Sequence, residues 1–96
     1  MNDADVLRLE GELSDEDRAL LDQLAEGVAA RRLTAAAMFF LESVKPLGFT
    51  GSQVMVFLRP IVSILWPEPT RWDRLQAILE RRGAIELLLR RLEARA

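Results

Sequence analysis

Residues 38–66 form the longest apolar stretch of the chain, and it is broken four times, by Lys45-Pro46, Gly48, Gly51 and Arg59-Pro60. These interruptions limit what the stretch can build. The hydrocarbon core of a bilayer needs about 20 mostly apolar residues in succession. The longest uncharged run here, 46–58, has thirteen residues and includes Thr50, Ser52 and Gln53. A membrane span is therefore not expected, and the stretch reads as two helices joined by a corner.

The corner is the sharpest local signal. Thr50 and Gln53 have the spacing of a capping box, in which the threonine oxygen takes the amide three residues on and the glutamine side chain returns to the cap amide. Phe49 and Val54 stand where a hydrophobic staple would close over it. A helix is predicted over 51–65. At 100° per residue it is apolar nearly all round, with Arg59 and Ser63 sharing a narrow polar strip. A helix of that kind is expected at the centre of a fold. Pro60 removes the hydrogen bond to the carbonyl of Val56, which predicts a kink.

Before this helix, Thr34 is placed to cap a helix over 35–45. Ala37, Phe40, Leu41 and Val44 share one face of it, and Phe39 projects about 100° away from Phe40. No single partner helix covers both rings. Pro46 ends the helix because the residue before a proline avoids the helical region. Further upstream, Ser14 with Asp15, Glu16 and Asp17 is a strong helix start, since the macrodipole favours anions in the first turn. Leu20, Leu21, Leu24 and Val28 follow at helical spacing, and Arg31 and Arg32 close the helix. Residues 1–12 hold one short alternating piece, Val6 to Leu9, among acids and Gly11, and are expected to be a flexible acidic tail, with a short strand or a helical turn as the lesser alternative.

Downstream, Trp66-Pro67-Glu68-Pro69 is a rigid connector. Thr70 with Asp73 predicts a helix to about residue 82, with Trp72, Leu75, Ile78 and Leu79 inward. Gly83 predicts a break. A last helix over 84–95 has Ile85, Leu88, Leu89 and Leu92 as its stripe, Glu86 and Arg90 as a favourable i,i+4 pair, and Leu87 pointing away. The expected fold is all-α: one compact domain, 13–96, of about five short helices with the 51–65 helix central. The short helices and Pro/Gly breaks argue against a simple up-down bundle.

Charge is distributed unevenly. Residues 1–30 carry nine acids and two bases, a net −7, whereas 31–96 carry eleven bases and six acids, a net +5. Two readings follow: a basic binding face with an acidic arm, or an acidic first helix folded against basic last ones. The second is preferred. Twelve arginines against one lysine, with abundant alanine, fit the codon bias of a GC-rich bacterial genome.

Chemistry has little to work with. The chain has no histidine, cysteine or tyrosine, so the commonest general base, the thiolate nucleophile and the usual transition-metal ligands are missing together. Glu42 and Lys45 lie i,i+3 and read as an ordinary surface pair. No acidic cluster has calcium-loop spacing. Neither enzyme activity, a metal nor a cofactor is expected. The acidic start lacks a signal-peptide pattern, and a cytoplasmic location is expected.

Three binding functions remain. Met38, Phe39, Phe49, Met55, Arg59, Trp66 and Leu87 form the candidate surface of a protein-interaction or self-association module, since aromatic, methionine and arginine side chains are enriched at interface centres. The partner is another protein or a homo-oligomer, a dimer first: a twofold homodimer burying the 38–66 region or a groove for a partner helix, against the plain alternative of a well-filled monomeric core. The alternative is a peripheral membrane protein that lays 47–66 in the interface at the inner face of the membrane, with Arg59 snorkelling. The third is nucleic-acid binding through Arg71, Arg74, Arg81, Arg82, Arg90, Arg91 and Arg95. Asp73, Glu80, Glu86 and Glu93 interrupt that set, and the 51–65 helix offers almost no polar side chain to a base edge.

Overall fold

Ser14 has an extended backbone, and its hydroxyl accepts the Asp17 amide at 3.1 Å. It opens helix α2 (Asp15–Ala30), as its sequence indicates. The computed structural model describes residues 3–48 and 50–95. Among these there are six α-helices and one 3-10 turn rather than about five helices. The additional helix, α1 (Asp3–Glu12), replaces the expected tail. Val6, Leu9 and Leu13 recur at three- and four-residue spacing and are each 2–4% exposed. The Arg18 guanidinium donates to the carbonyls of Glu10 and Leu13, each at 2.8 Å, and so satisfies the end of α1 that no intrahelical amide reaches.

At the end of α2 the chain reverses within two residues. Arg32 has φ 58°, its amide donates to Ala29 and that of Leu33 donates to Val28. This is a Schellman motif with an arginine in the left-handed position usually held by glycine. Leu33 immediately becomes the N-cap of α3 (Thr34–Val44), so Thr34 is inside the helix and makes no cap bond. A 3-10 turn (Lys45–Leu47) follows, ending at Gly48 with φ 67°.

Helix α4 (Gly51–Leu65) starts at the expected capping box, with both reciprocal bonds present between Thr50 and Gln53. Phe49, the other half of the proposed staple, lies outside the described residues. Pro60 is inside α4. Helix α5 (Pro69–Leu79) begins with proline in its first turn and Glu68 as N-cap, so Thr70 is again a helical residue and not a cap. Proline suits that position because its missing amide has no partner there in any case. Gly83, at φ 90°, precedes α6 (Ala84–Glu93).

Helix α6 is the central element, not α4. Six of its ten residues are buried, and it packs against α1, α2, α3 and α5. Leu87, which leaves the main stripe, is 3% exposed. Its expected place on a contact surface is therefore not observed, and α1, α2, α3 and α5 all pack on this helix. The core is one cluster running from Val6 to Leu92. A radius of gyration of 12.2 Å equals that of a single globule of this length, about 12.5 Å.

The two charge blocks meet across this core. Acids of α1 and α2 engage arginines of α5, α6 and the turn between them: Asp3 with Arg90, Asp5 with Arg82, Glu12 with Arg81, Glu16 and Asp17 with Arg74, and Glu26 with Arg95. Arg91 bridges Glu10 at 2.8 Å and Asp22 at 2.7 Å. Of the two charge readings, the acidic helices folded against basic ones is the one observed.

Candidate interaction surface

Helix α4 is apolar on two opposite sides, and this chain covers one of them. Val54, Met55, Leu58 and Val62 lie on the first side and are 0–4% exposed. Val56, Phe57 and Ile64 lie on the other, at 65%, 58% and 62% exposed. The angular count explains the division. Val56, Pro60 and Ile64 advance four residues at a time and drift only about 40° per step, so they form one ridge along the outer side. Phe57 stands beside that ridge and Ile61, half-buried, at its edge.

Helix α3 supplies the neighbouring part. Phe40 packs on Phe57 with ring centroids 4.6 Å apart and planes tilted by 40°, an offset arrangement that suits the ring quadrupoles. Phe39, one residue earlier and turned away, is 75% exposed. Leu47, in the 3-10 turn that follows α3, is 65% exposed. The two aromatic side chains that the sequence could not place on one face are thus divided between a contact with α4 and solvent.

The expected site residues separate into distinct groups. Phe39 and Arg59 are exposed, and Met38 is half-buried against the core. Met55, Trp66 and Leu87 are 3–5% exposed and belong to the core, which removes them from any surface. Phe49 lies outside the described residues. Trp66 is held inside by its indole N–H, which donates to Gln23 at 3.1 Å, while its carbonyl accepts the Trp72 indole at 2.7 Å. Arg59 lies over the Trp72 ring, 5.9 Å from its centroid. Val56, Phe57, Ile64 and Leu47 were missed. Their signal was present, since α4 is apolar all round, but a helix assumed to be central gives no reason to divide its sides.

Elsewhere, a cleft of about 510 Å³ lies where the end of α3 and the start of α4 face the α5–α6 turn. Its cations are already engaged: Lys45 with Glu86 at 2.7 Å, Arg81 with Glu12 and Arg82 with Asp5. Glu86 therefore meets Lys45 and not Arg90, which reaches Asp3. The C-terminal arginines are occupied in the same way. Each of the seven considered for phosphate contact has a carboxylate within 4.0 Å. Among the described residues no group of three acids is arranged to hold a metal ion, and no helix is long and apolar enough to cross a membrane.

Arg91 has a displaced pKa. Burial acts most strongly and lowers it, but hydrogen bonds to Glu10 and Asp22, with the charges of both, together outweigh burial and hold it above the ordinary arginine value. This is a structural anchor between helices, not a reactive group. No family model, curated protein or solved structure matches the chain.

Proposed function

We propose that this is a protein-interaction module that works by presenting the outer side of α4, flanked by Phe39 of α3, to another protein surface, in the cytosol of a bacterium. The single observation that carries this is the exposed ridge of Val56, Phe57 and Ile64, each more than half accessible. Isolated exposed leucines are normal on proteins, whereas neighbouring large apolar side chains on one face mark contact sites. A bend of α4 at Pro60 would set the curvature of that face.

Catalysis is not part of the proposal, because the chain lacks histidine, cysteine and tyrosine and its cleft cations are paired. Peripheral membrane binding is the less favoured reading. An interfacial helix carries a basic polar face, and α4 has Arg59 as its one charged residue. The paired C-terminal arginines weigh against nucleic acid in the same way.

The test combines light scattering with fluorescence of a dye that reports exposed apolar surface. The expected result is either an oligomer or a monomer that binds dye, with dye binding lost in Val56→Asp. A strict monomer that leaves the dye dark would overturn the proposal.

A further inference from the structure

The ridge on α4 has a symmetry of its own. Val56 and Ile64 stand four residues to either side of Pro60, about 6 Å each way along the axis, and both are exposed. Deepening the interaction reading on which it rests, we infer that the occupant of this face is a second copy of the chain, related by a twofold axis that passes close to Pro60.

Charge favours an identical partner. Between residues 33 and 66 the charged groups are Glu42, Lys45 and Arg59. Lys45 is bound to Glu86, and Arg59 is drawn over Trp72. A face without net field approaches its own copy free of like-charge repulsion. The acids and arginines that would repel across such an interface are instead paired with each other across α1, α2, α5 and α6. An acidic or basic partner would find nothing on this ridge to select it, and an anionic lipid surface would find a single arginine.

Area points the same way. Phe39, Val56, Phe57 and Ile64 expose 58–75% of their surface, on the order of 500 Å² at roughly 150–250 Å² per large side chain. A standard interface buries about 800 Å² per partner, of which about 56–65% is apolar. The exposed apolar area is what one half of such a dimer supplies. Twofold contacts are also self-complementary, so one patch serves both partners. Proline at the axis fits close approach, because its ring replaces an amide and Val56 and Ile64, one step along the ridge on either side, are apolar.

The chain has no cysteine, so single-cysteine variants report proximity directly. Pro60→Cys is exposed and restores a helical amide. Gly11→Cys, on α1 with open space around its Cβ, is the control. The expected results are a dimer mass by light scattering at about 100 μM, above the micromolar Kd such an interface can have, disulfide cross-linking of Pro60→Cys far exceeding that of Gly11→Cys, and a halved mass for Phe57→Asp. Val56→Asp repeats the last arm with a side chain that faces solvent, should loss of the Phe40 contact unfold the first variant; circular dichroism checks both.

A dimer whose Pro60→Cys variant cross-links no better than the control overturns the proposed axis. A wild-type monomer that binds dye overturns self-association and leaves the interaction reading intact, whereas one that sediments with anionic vesicles through the same face overturns both in favour of membrane binding. A monomer that binds neither overturns both.

Discussion

Gly51, at the start of α4, lies against the end of α5. A Cβ at that position would lie 2.8 Å from the Gln76 carbonyl oxygen and 2.8 Å from the Glu80 amide, and against the Glu80 side chain as well. The first two are backbone atoms and cannot step aside. Alanine is otherwise welcome at a helix start, so the effect of Gly51→Ala isolates this contact: a loss of about 1–3 kcal/mol is expected by chemical denaturation. Gly27→Ala is the contrast. The three atoms nearest its Cβ would be Leu65 side-chain atoms, at 2.5–3.0 Å, and the gain in helix propensity of about 1 kcal/mol offsets the shift they must make. A net change within about 1 kcal/mol is expected there. The opposite sign is expected at Arg32, whose φ of 58° costs an L-residue about 1–2 kcal/mol that glycine avoids. Its side chain is exposed, so Arg32→Gly should raise stability by about 1 kcal/mol, a Tm increase of roughly 4–8 °C for a domain of this size. At this scale the sequence was legible where chemistry is local: Ser14 and the Thr50–Gln53 box are caps because both partners lie within three residues. Thr34 and Thr70 failed as caps for the same reason in reverse. Leu33 is already committed by the reversal at Arg32, and Pro69 supplies a better first turn, so neither threonine is left at a helix boundary.

Helix α1 is the element on which the architecture turns. Short helices are marginal alone, and their stability comes from packing an apolar face. For α1 that face is Val6 and Leu9, continued by Leu13, all nearly inaccessible, set on α6. Leu9→Ala should therefore destabilise the fold by about 2–5 kcal/mol, a large fraction of the 5–15 kcal/mol such domains have. A flexible tail would tolerate the same change without effect, so urea denaturation of this one variant separates the two descriptions. The loss should also loosen α6 near Leu87, visible as faster amide exchange there. Val6 to Leu9 was legible as a pattern but read with the wrong period. Four residues admit alternation as easily as a helical turn, and only the addition of Leu13 at the next helical step decides between them. The place of α4 was misjudged on separate grounds: a helix apolar on every side reads as central, whereas α6, with six buried residues, takes that place and leaves Val56, Phe57 and Ile64 of α4 exposed.

Across the whole molecule, electrostatics and apolar surface are segregated. Helices α1 and α2 meet the arginines of α5 and α6 through ion pairs, while α3 and α4 carry the uncharged face. Most of these pairs involve exposed side chains, and such pairs contribute about 0–1 kcal/mol each. Arg91 differs. Its side chain is 13% exposed and joins Glu10 of α1 to Asp22 of α2, and those contacts hold its pKa above the ordinary value despite burial. Arg91→Met is expected to cost about 1–2 kcal/mol, since it removes charge-assisted hydrogen bonds but leaves two carboxylates that water still reaches. Arg71, whose pair with Glu68 has both side chains more than half exposed, should cost no more than about 0.5 kcal/mol when replaced by methionine. Salt should widen the difference slightly, because an exposed pair is screened more than a partly buried one. The pH response follows from the direction of the shift. A pKa raised in the folded state adds stability that is fully present below the unfolded value and is lost only as pH rises through the folded one. For a guanidinium both lie far to the alkaline side of neutrality, so between about pH 5 and 9 the Arg91 contribution is constant. Denaturation of the wild type and Arg91→Met across that range should therefore give parallel curves. Curves that converge toward alkaline pH would show that Arg91 does not anchor α1 and α2 as a permanent charge.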